Sequence, residues 1–319
     1  MKTALITGIT GQDGPYLAKL LLEKGYAVVG ITRSYLSNIS NLKYLNIHDK
    51  VTLEECDLGD LPFVVRILEK YKPSEIYNLS AQSSVGLSFQ QPISTIQFNI
   101  NSVLNLLEAI RIVNNKMKFY QASSSEMFGK VEKLPITLST PMHPLSPYAI
   151  SKASSHWTVV NFRESFDLFA CNGVLFNHES FLRPKSFFVK KVITESLKIK
   201  AGLSNKLKVG NIDVKRDFGF APRYVEAMWL MLQQDKPQDF IICSGKSISL
   251  RGIIEHVFQK LDLPMSKLEI DHSLYRPIDI DDIYGDNSDA RAILKWSYDN
   301  EFKEVIDVLI KEEHDASYQ

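Results

Sequence analysis

Cysteine is scarce in this chain, and net charge is absent. Cys56, Cys171 and Cys243 are three among 319 residues and form no Cys-x-x-Cys pair. The sequence therefore points to neither a disulfide framework nor a zinc site, and it fits a reducing cytoplasm. Lys and Arg total 37, as do Asp and Glu. Such a balance offers no basic face for nucleic acid and no polybasic patch for a membrane, so any anion must be recognised locally. Long apolar runs are missing too. The opening "MKTALITGITGQDG" reaches glycines and Gln12-Asp13 after a short apolar stretch, which leaves no room for a signal-peptide core, and no later run could span a bilayer. Internal repeats, low-complexity tracts and flexible linkers are also lacking.

What is present is alternation. "TALIT" (3–7) reads as a strand, "YLAKLLLEKG" (16–25) as a helix ending on Gly25, and "AVVGIT" (27–32) as a second strand, together a βαβ unit. Further strands are expected at 74–81, 117–123 and 168–177, with helices at 61–71 and 102–113. The fold class expected is α/β, a Rossmann-type doubly wound parallel sheet with ligands at the carboxyl ends of its strands. Beyond residue 177 the pattern loosens, with proline breaks at Pro222, Pro237, Pro264 and Pro277. Residues 1–177 are read as a dinucleotide-binding domain and 178–319 as a smaller C-terminal substrate-binding lobe. "DFIICSG" (239–245) is expected to return as a strand of the first.

Gly8, Gly11 and Gly14 stand three apart between the first strand and helix. Glycine there permits a tight turn and the approach of a pyrophosphate to the helix N-terminus. At the end of the second strand "GITRS" offers Arg33 and Ser34 rather than an acid, which favours the 2′-phosphate of NADP. Asp57, in "ECDLGD", is placed to accept from an adenine amino group or to cap the next helix. In "SPYAISK", Pro147 suits a first helical turn, and Ile150, Ala153, Trp157 and Val160 continue an apolar stripe, so Tyr148 and Lys152 share a face. A nearby ammonium and an oxidised nicotinamide both favour phenolate; an opposite charge at close range lowers a pKa by about 1 to 3 from the usual phenol value of about 10. Tyr148 is therefore the expected base toward an alcohol.

With "ALITGITGQDG", "AQSSVGLSF", "ASSSEMFG", "SPYAISK", "FACNGVLFNHES", "VKRDFG" and "EAMWLMLQQDKPQDF", the chain resembles the extended short-chain dehydrogenase/reductases, and among them the GDP-mannose 4,6-dehydratases. The resemblance spans nearly the whole chain. It implies a redox-neutral lyase, NADP as cofactor, a GDP-sugar substrate, and a homodimer or homotetramer. It implies catalytic roles for Ser124, Tyr148 and Lys152, with Glu126 as the base at C5. For the cofactor it implies Gly8, Thr10, Gly11, Gln12, Asp13, Gly14, Arg33, Asp57, Leu58, Leu79, Ala81 and Ser83, together with Tyr148, Lys152, His178 and Arg183. For the substrate it implies Ser84, Glu126, Asn177, Lys191, Arg216 and Arg276. No metal is expected, because His178 and Glu179 of "NHES" point to opposite sides of an extended chain. Four departures stand out: Phe181 where proline is usual, Ser84 for histidine, Asp279 for glutamate, and "YLSNISNLKYL" in place of a double-arginine, serine-rich loop. Alternatives are the same dehydration on a GDP-manno-heptose, an NADPH-dependent nucleotide-sugar reductase or epimerase, and a dinucleotide-binding regulator.

Overall fold

A computed structural model of the protein describes residues 1–34 and 36–316. Tyr35, the first residue of "YLSNISNLKYL", and the last three residues of the 178–319 segment lie outside the described residues. The strands are β1 (Thr3–Thr7), β2 (Ala27–Thr32), β3 (Val51–Glu55), β4 (Glu75–Asn78), β5 (Lys118–Ser124), β6 (Ala170–Leu175), β7 (Asn177–Glu179), β8 (Leu207–Val209), β9 (Lys215–Phe220), β10 (Phe240–Ile242), β11 (Ser247–Ser249) and β12 (Leu268–Ile270). The helices are α1 (Asp13–Glu23), α2 (Ser40–Tyr44), α3 (Leu61–Tyr71), α4 (Val85–Gln90), α5 (Pro92–Val113), α6 (Pro147–Phe166), α7 (Phe188–Lys200), α8 (Ala221–Leu232), α9 (Leu250–Leu261), α10 (Ser288–Ile293) and α11 (Phe302–Ala316).

Among the described residues seven strands pair in parallel, in the order β10-β6-β5-β4-β1-β2-β3. All but the edge strand β3 are almost wholly buried, because helices cover both faces. On one face α1 and α8 enclose Leu17, Leu21, Met228 and Met231; on the other α3, α5 and α6 enclose Leu68, Leu107 and Val159. The strand order reverses between β1 and β4, which opens a crevice at their carboxyl ends. Two outlying sheets, β11-β9-β7 and β12-β8, pack with α7, α9 and α11 around Ile193, Val257 and Ile306. No helix among the described residues is long and apolar enough to cross a membrane.

Local patterns located the early elements closely and the later ones less so. The first helix starts at Asp13 rather than at Tyr16, and α5 starts at Pro92, ten residues before the apolar spacing becomes evident. The run 168–177, read as one strand, is two: β6 joins the main sheet, whereas β7 pairs with β9. The face assigned to α6 is also corrected. Ile150 and Trp157 are 44% and 58% exposed, and the buried side holds Tyr148, Ser151, Lys152, Ser155 and His156. Tertiary contacts bury this polar face: Tyr148 and Lys152 line a cavity, Ser151 and Ser155 bond Asn99 of α5, and His156 lies against Ser123 and Asp239.

Candidate active site

A cavity of about 760 Å³ opens at the crevice between β1 and β4, and the residues assigned above to catalysis, cofactor and substrate line it, whereas Ser34 does not. Gly8, at the end of β1, has φ +69°, and a Cβ on it would lie 2.9 Å from the carbonyl carbon of Leu79, at the end of β4. A Cβ on Gly14 would lie 2.6 Å from the oxygen of Gly8 and 2.7 Å from Cα of Ile9. The turn therefore closes on itself and on its neighbour, leaving its backbone and the start of α1 as cavity wall. A buried chain fixes the strands behind it: Thr7 donates to Asn78 Oδ1 (2.6 Å), and Asn78 to Gln121 Oε1 (2.8 Å).

Arg33 is exposed at the rim, its guanidinium 5.0 Å from the centre of the Phe98 ring. Asp57 accepts from the amide of Gly59 (2.9 Å), and the cap of α3 is Asp60, which accepts from Phe63 (3.0 Å). Helix capping is thus not the role of Asp57. Leu58, Leu79, Ala81 and Ser83 continue the wall, and Ser84 caps α4 through Leu87 (3.2 Å).

At the cavity floor β5 ends on Ser124, whose hydroxyl accepts from the amide of Glu126 (3.3 Å) and starts a single 3-10 turn. Glu126 is half-buried while its neighbours from Ala122 to Phe128 are buried. Facing this turn is α6, capped by Ser146 through Ala149 (3.1 Å), so that Tyr148 and Lys152 lie one turn apart, both buried. Lys152 Nζ donates to the carbonyl of Ala122 (2.8 Å), and burial brings its pKa down to about 8. The phenol of Tyr148 is pushed up to about 12. Burial is the main cause; a hydrogen bond with Ser124 opposes it, and the Glu126 carboxylate adds to it. The expectation of a lowered phenol is corrected to this extent: in the protein alone, burial outweighs any help from Lys152. Its ammonium is directed to Ala122, 5.9 Å from the centre of the Tyr148 ring.

β7 closes the cavity over the glycine turn. Gln12 Nε2 donates to the carbonyl of His178 (3.0 Å), and Ser180 donates to Gln12 Oε1 (3.0 Å). His178 places Nε2 2.9 Å from Asp13 Oδ2 and Nδ1 2.7 Å from the carbonyl of Phe176, and stacks on Tyr224 at 4.6 Å. Burial alone would raise the Asp13 carboxyl, but His178 and Arg183 hold it below the usual carboxylate range. Both ring nitrogens of His178 have protein partners, so it fixes the turn as well as lining the cavity.

Glu179 is 2% exposed, and its Oε2 has no hydrogen-bond partner among the described residues; burial raises its pKa. Arg183 Nε lies 3.5 Å from Glu179 Oε1, with its guanidinium 3.6 Å from the centre of the Phe187 ring. Opposite them Arg216, 6% exposed, donates to Asp279 (2.6 Å) and to the carbonyl of Ile280 (2.5 Å). Burial lowers its pKa, against Glu126 and Asp279. Arg276 stands 3.9 Å from the same Asp279. Asn177 donates to the carbonyl of Asp217 (3.4 Å), and Lys191 reaches the cavity from the first turn of α7.

Sequence reasoning considered Glu179 only as a metal ligand and missed it as a lining carboxylate. His178 and Glu179 both line the cavity, so the alternation read into "NHES" pointed away from this placement. Nothing in the α5 sequence marks Phe98 as the ring beneath Arg33.

Comparison with known proteins gives a consistent picture. A family model described as GDP-mannose 4,6 dehydratase matches residues 5–309. GDP-mannose 4,6 dehydratase 1 of Arabidopsis thaliana is 44% identical over 324 residues, covering 98% of this chain and 90% of that protein. The human GDP-mannose 4,6 dehydratase is 41% identical over 330 residues, covering 95% and 89%. The fold matches a UDP-glucose 4-epimerase from Thermotoga maritima with a TM-score of 0.88 at 20% identity, over 99% of this chain and 100% of that one. It also matches a dTDP-glucose 4,6-dehydratase from Streptomyces venezuelae with a TM-score of 0.87 at 18% identity, over 97% and 96%.

Proposed function

The chain belongs to the GDP-mannose 4,6-dehydratase family, and from that premise we propose that it removes water from GDP-mannose to give the GDP-4-keto-6-deoxy sugar. The observation that carries this reading is the convergence of Ser124, Glu126, Tyr148 and Lys152 on the cavity that also holds the Gly8–Gly14 turn.

The cavity suits a nicotinamide dinucleotide, since Gly8 and Gly14 leave free the space that a Cβ would fill. Arg33 at the rim, backed by Phe98, supports NADP over NAD, because a guanidinium matches a 2′-phosphate. When bound, a dinucleotide would supply the hydride acceptor for C4 and the hydride donor for C6, and its oxidised form would add a positive charge that favours the Tyr148 phenolate. Tyr148 takes the C4 hydroxyl proton, with Ser124 holding that oxygen and the Lys152 cation supporting the phenolate from Ala122. The 4-ketone acidifies C5, and Glu126, on its short turn beside Ser124, removes that proton. The C6 hydroxyl departs, and the protons held by Tyr148 and Glu126 end on the water and on C5. Arg216 and Arg276 meet the diphosphate, and Asn177 and Lys191 complete its surroundings.

A homo-oligomer is part of this reading. α5 and α6 pack side by side and leave Leu104, Ile112, Ile150 and Trp157 exposed, apolar surface that suits a second copy. The three buried thiols suit a reducing cytoplasm.

The test is incubation of the purified protein with GDP-, dTDP-, UDP- and CDP-sugars, GDP-manno-heptose among them, followed by mass spectrometry. Loss of one water from GDP-mannose without net consumption of cofactor is the expected result. Loss from the heptose alone would move the substrate. No loss from any sugar, with net NADPH consumption on a 4-keto sugar, would make the protein a reductase.

A further inference from the structure

Two departures, at 36–45 and at Phe181, meet in space. α2 is a five-residue helix without a side-chain cap, too short to hold itself together, so its contacts decide its position. Leu42 anchors it in the core. On one side Asn41 Nδ2 donates to the carbonyls of Thr10 (3.2 Å) and Gly11 (2.9 Å), within the glycine turn. On the other side the ring of Tyr44 stacks on Phe181, with centroids 4.4 Å apart and planes inclined by 23°. Phe181 follows β7 between Glu179 and Arg183 of the opposite wall and lines a second hollow beside the main cavity. That segment is itself braced from α11: Lys190 donates to the carbonyl of Phe181 (2.5 Å) and pairs with Glu313, while burial and then the nearby Glu312 carboxylate of the same helix raise the pKa of the Tyr44 hydroxyl.

α2 therefore bridges the cleft, bonded to the turn through Asn41 and to the far wall through Tyr44. The bridge crosses at a marked place. Thr10, Ser37 and Arg183 line both the main cavity and the second hollow, which Asn41 and Phe181 also line, so the clasp stands at the border of the two. Building on the dinucleotide reading given above, we propose that Asn41, Tyr44 and Phe181 form an intramolecular clasp that keeps the dinucleotide resident between turnovers. A reaction that ends with its cofactor in the starting state gains from retention, since nothing requires exchange. The clasp acts on release: for the dinucleotide to leave between the turn and the 181–187 segment, the Asn41 bonds and the Tyr44 stack must break together.

The measurement is the rate at which bound NADPH leaves the protein, followed by loss of its fluorescence on mixing with excess NADP. Wild type, Asn41→Ala, Tyr44→Ala and Tyr44→Phe are compared, and the melting of each dinucleotide-free protein checks folding. Loss of the aromatic stack should speed release about tenfold in Tyr44→Ala, and loss of the neutral hydrogen bonds about fivefold in Asn41→Ala. Tyr44→Phe keeps the stack and should release at a rate near wild type. Equal release from wild type and both alanine variants overturns the clasp, as does release from Tyr44→Phe as fast as from Tyr44→Ala. Failure of wild type to bind either dinucleotide is a different outcome: it overturns the function proposed above and the clasp with it.

Discussion

At the β1–α1 end of the cavity the wall is backbone: Gly8, Gly11 and Gly14 present main chain because a Cβ at two of them would strike neighbouring main-chain atoms. At the other end the turn after β7, β9 and residues 276–279 present long charged side chains, Arg183, Arg216 and Arg276, each near a carboxylate. The first end is built from residues adjacent in sequence and tolerates no substitution that adds volume. The second is assembled from distant segments, and its geometry depends on ion pairs that hold arginines in place. Catalysis stands between the two, with Tyr148 and Lys152 set by one turn of α6 and Glu126 by a turn after β5.

The largest effect should come from the middle of the cavity. Glu126→Gln keeps shape but removes the base, so exchange of the C5 hydrogen with deuterated solvent and loss of water should fall by about 10² to 10⁴. Oxidation at C4 should survive in this variant and vanish in Tyr148→Phe. Mass spectrometry of the sugar in heavy water separates the two, and undiminished C5 exchange in Glu126→Gln would move the base elsewhere.

Arg33→Ala sharpens the contrast at the rim, where recognition is by side chain even at the backbone end. A charge-assisted hydrogen bond is worth about 1.5 to 3 kcal/mol, so NADP should bind about ten- to a hundredfold more weakly while NAD is nearly unaffected. Calorimetric titration with both cofactors decides it; equal weakening would show that Arg33 serves the fold.

For the backbone end itself, Gly14→Ala puts a methyl 2.6 Å from the Gly8 oxygen and 2.7 Å from Ile9 Cα, neither of which is a movable side-chain tip. Overpacking of this kind costs about 1 to 3 kcal/mol. Chemical denaturation should register that loss together with weakened dinucleotide binding, and a wild-type midpoint would mean that the turn is looser than its contacts indicate.

The smallest effect is set by pH. Burial lowers the pKa of Lys152 to about 8 from an ordinary 10.5, so the cation that supports the Tyr148 phenolate is lost as pH rises through about 8. The rate should halve at that point. Stability runs the other way: folding favours the neutral amine, so the contribution of this group rises between about pH 8 and 10.5. A pH profile of kcat/KM in which Lys152→Arg retains the alkaline limb near 8 would assign that limb to another group.

The sequence by itself determined what depends on near neighbours. Strand, glycine turn and helix at the N-terminus follow from period and from the φ freedom of Gly8. β1, β2 and α3 lie where their patterns put them, and the four-residue spacing of Tyr148 and Lys152 needs only a helix. Only the tertiary structure decided what depends on packing between distant segments. His178 meets Asp13 across 165 positions and Arg216 meets Asp279 across 63, and no local pattern encodes either pair. The buried face of α6 proved to be its polar one, and β7 left the run it shares with β6 to pair with β9. The direction in which the Tyr148 phenol moves was likewise settled by its burial in the assembled cavity. Periodicity reports the average polarity of a face, whereas burial and hydrogen-bond partners are properties of the assembled chain.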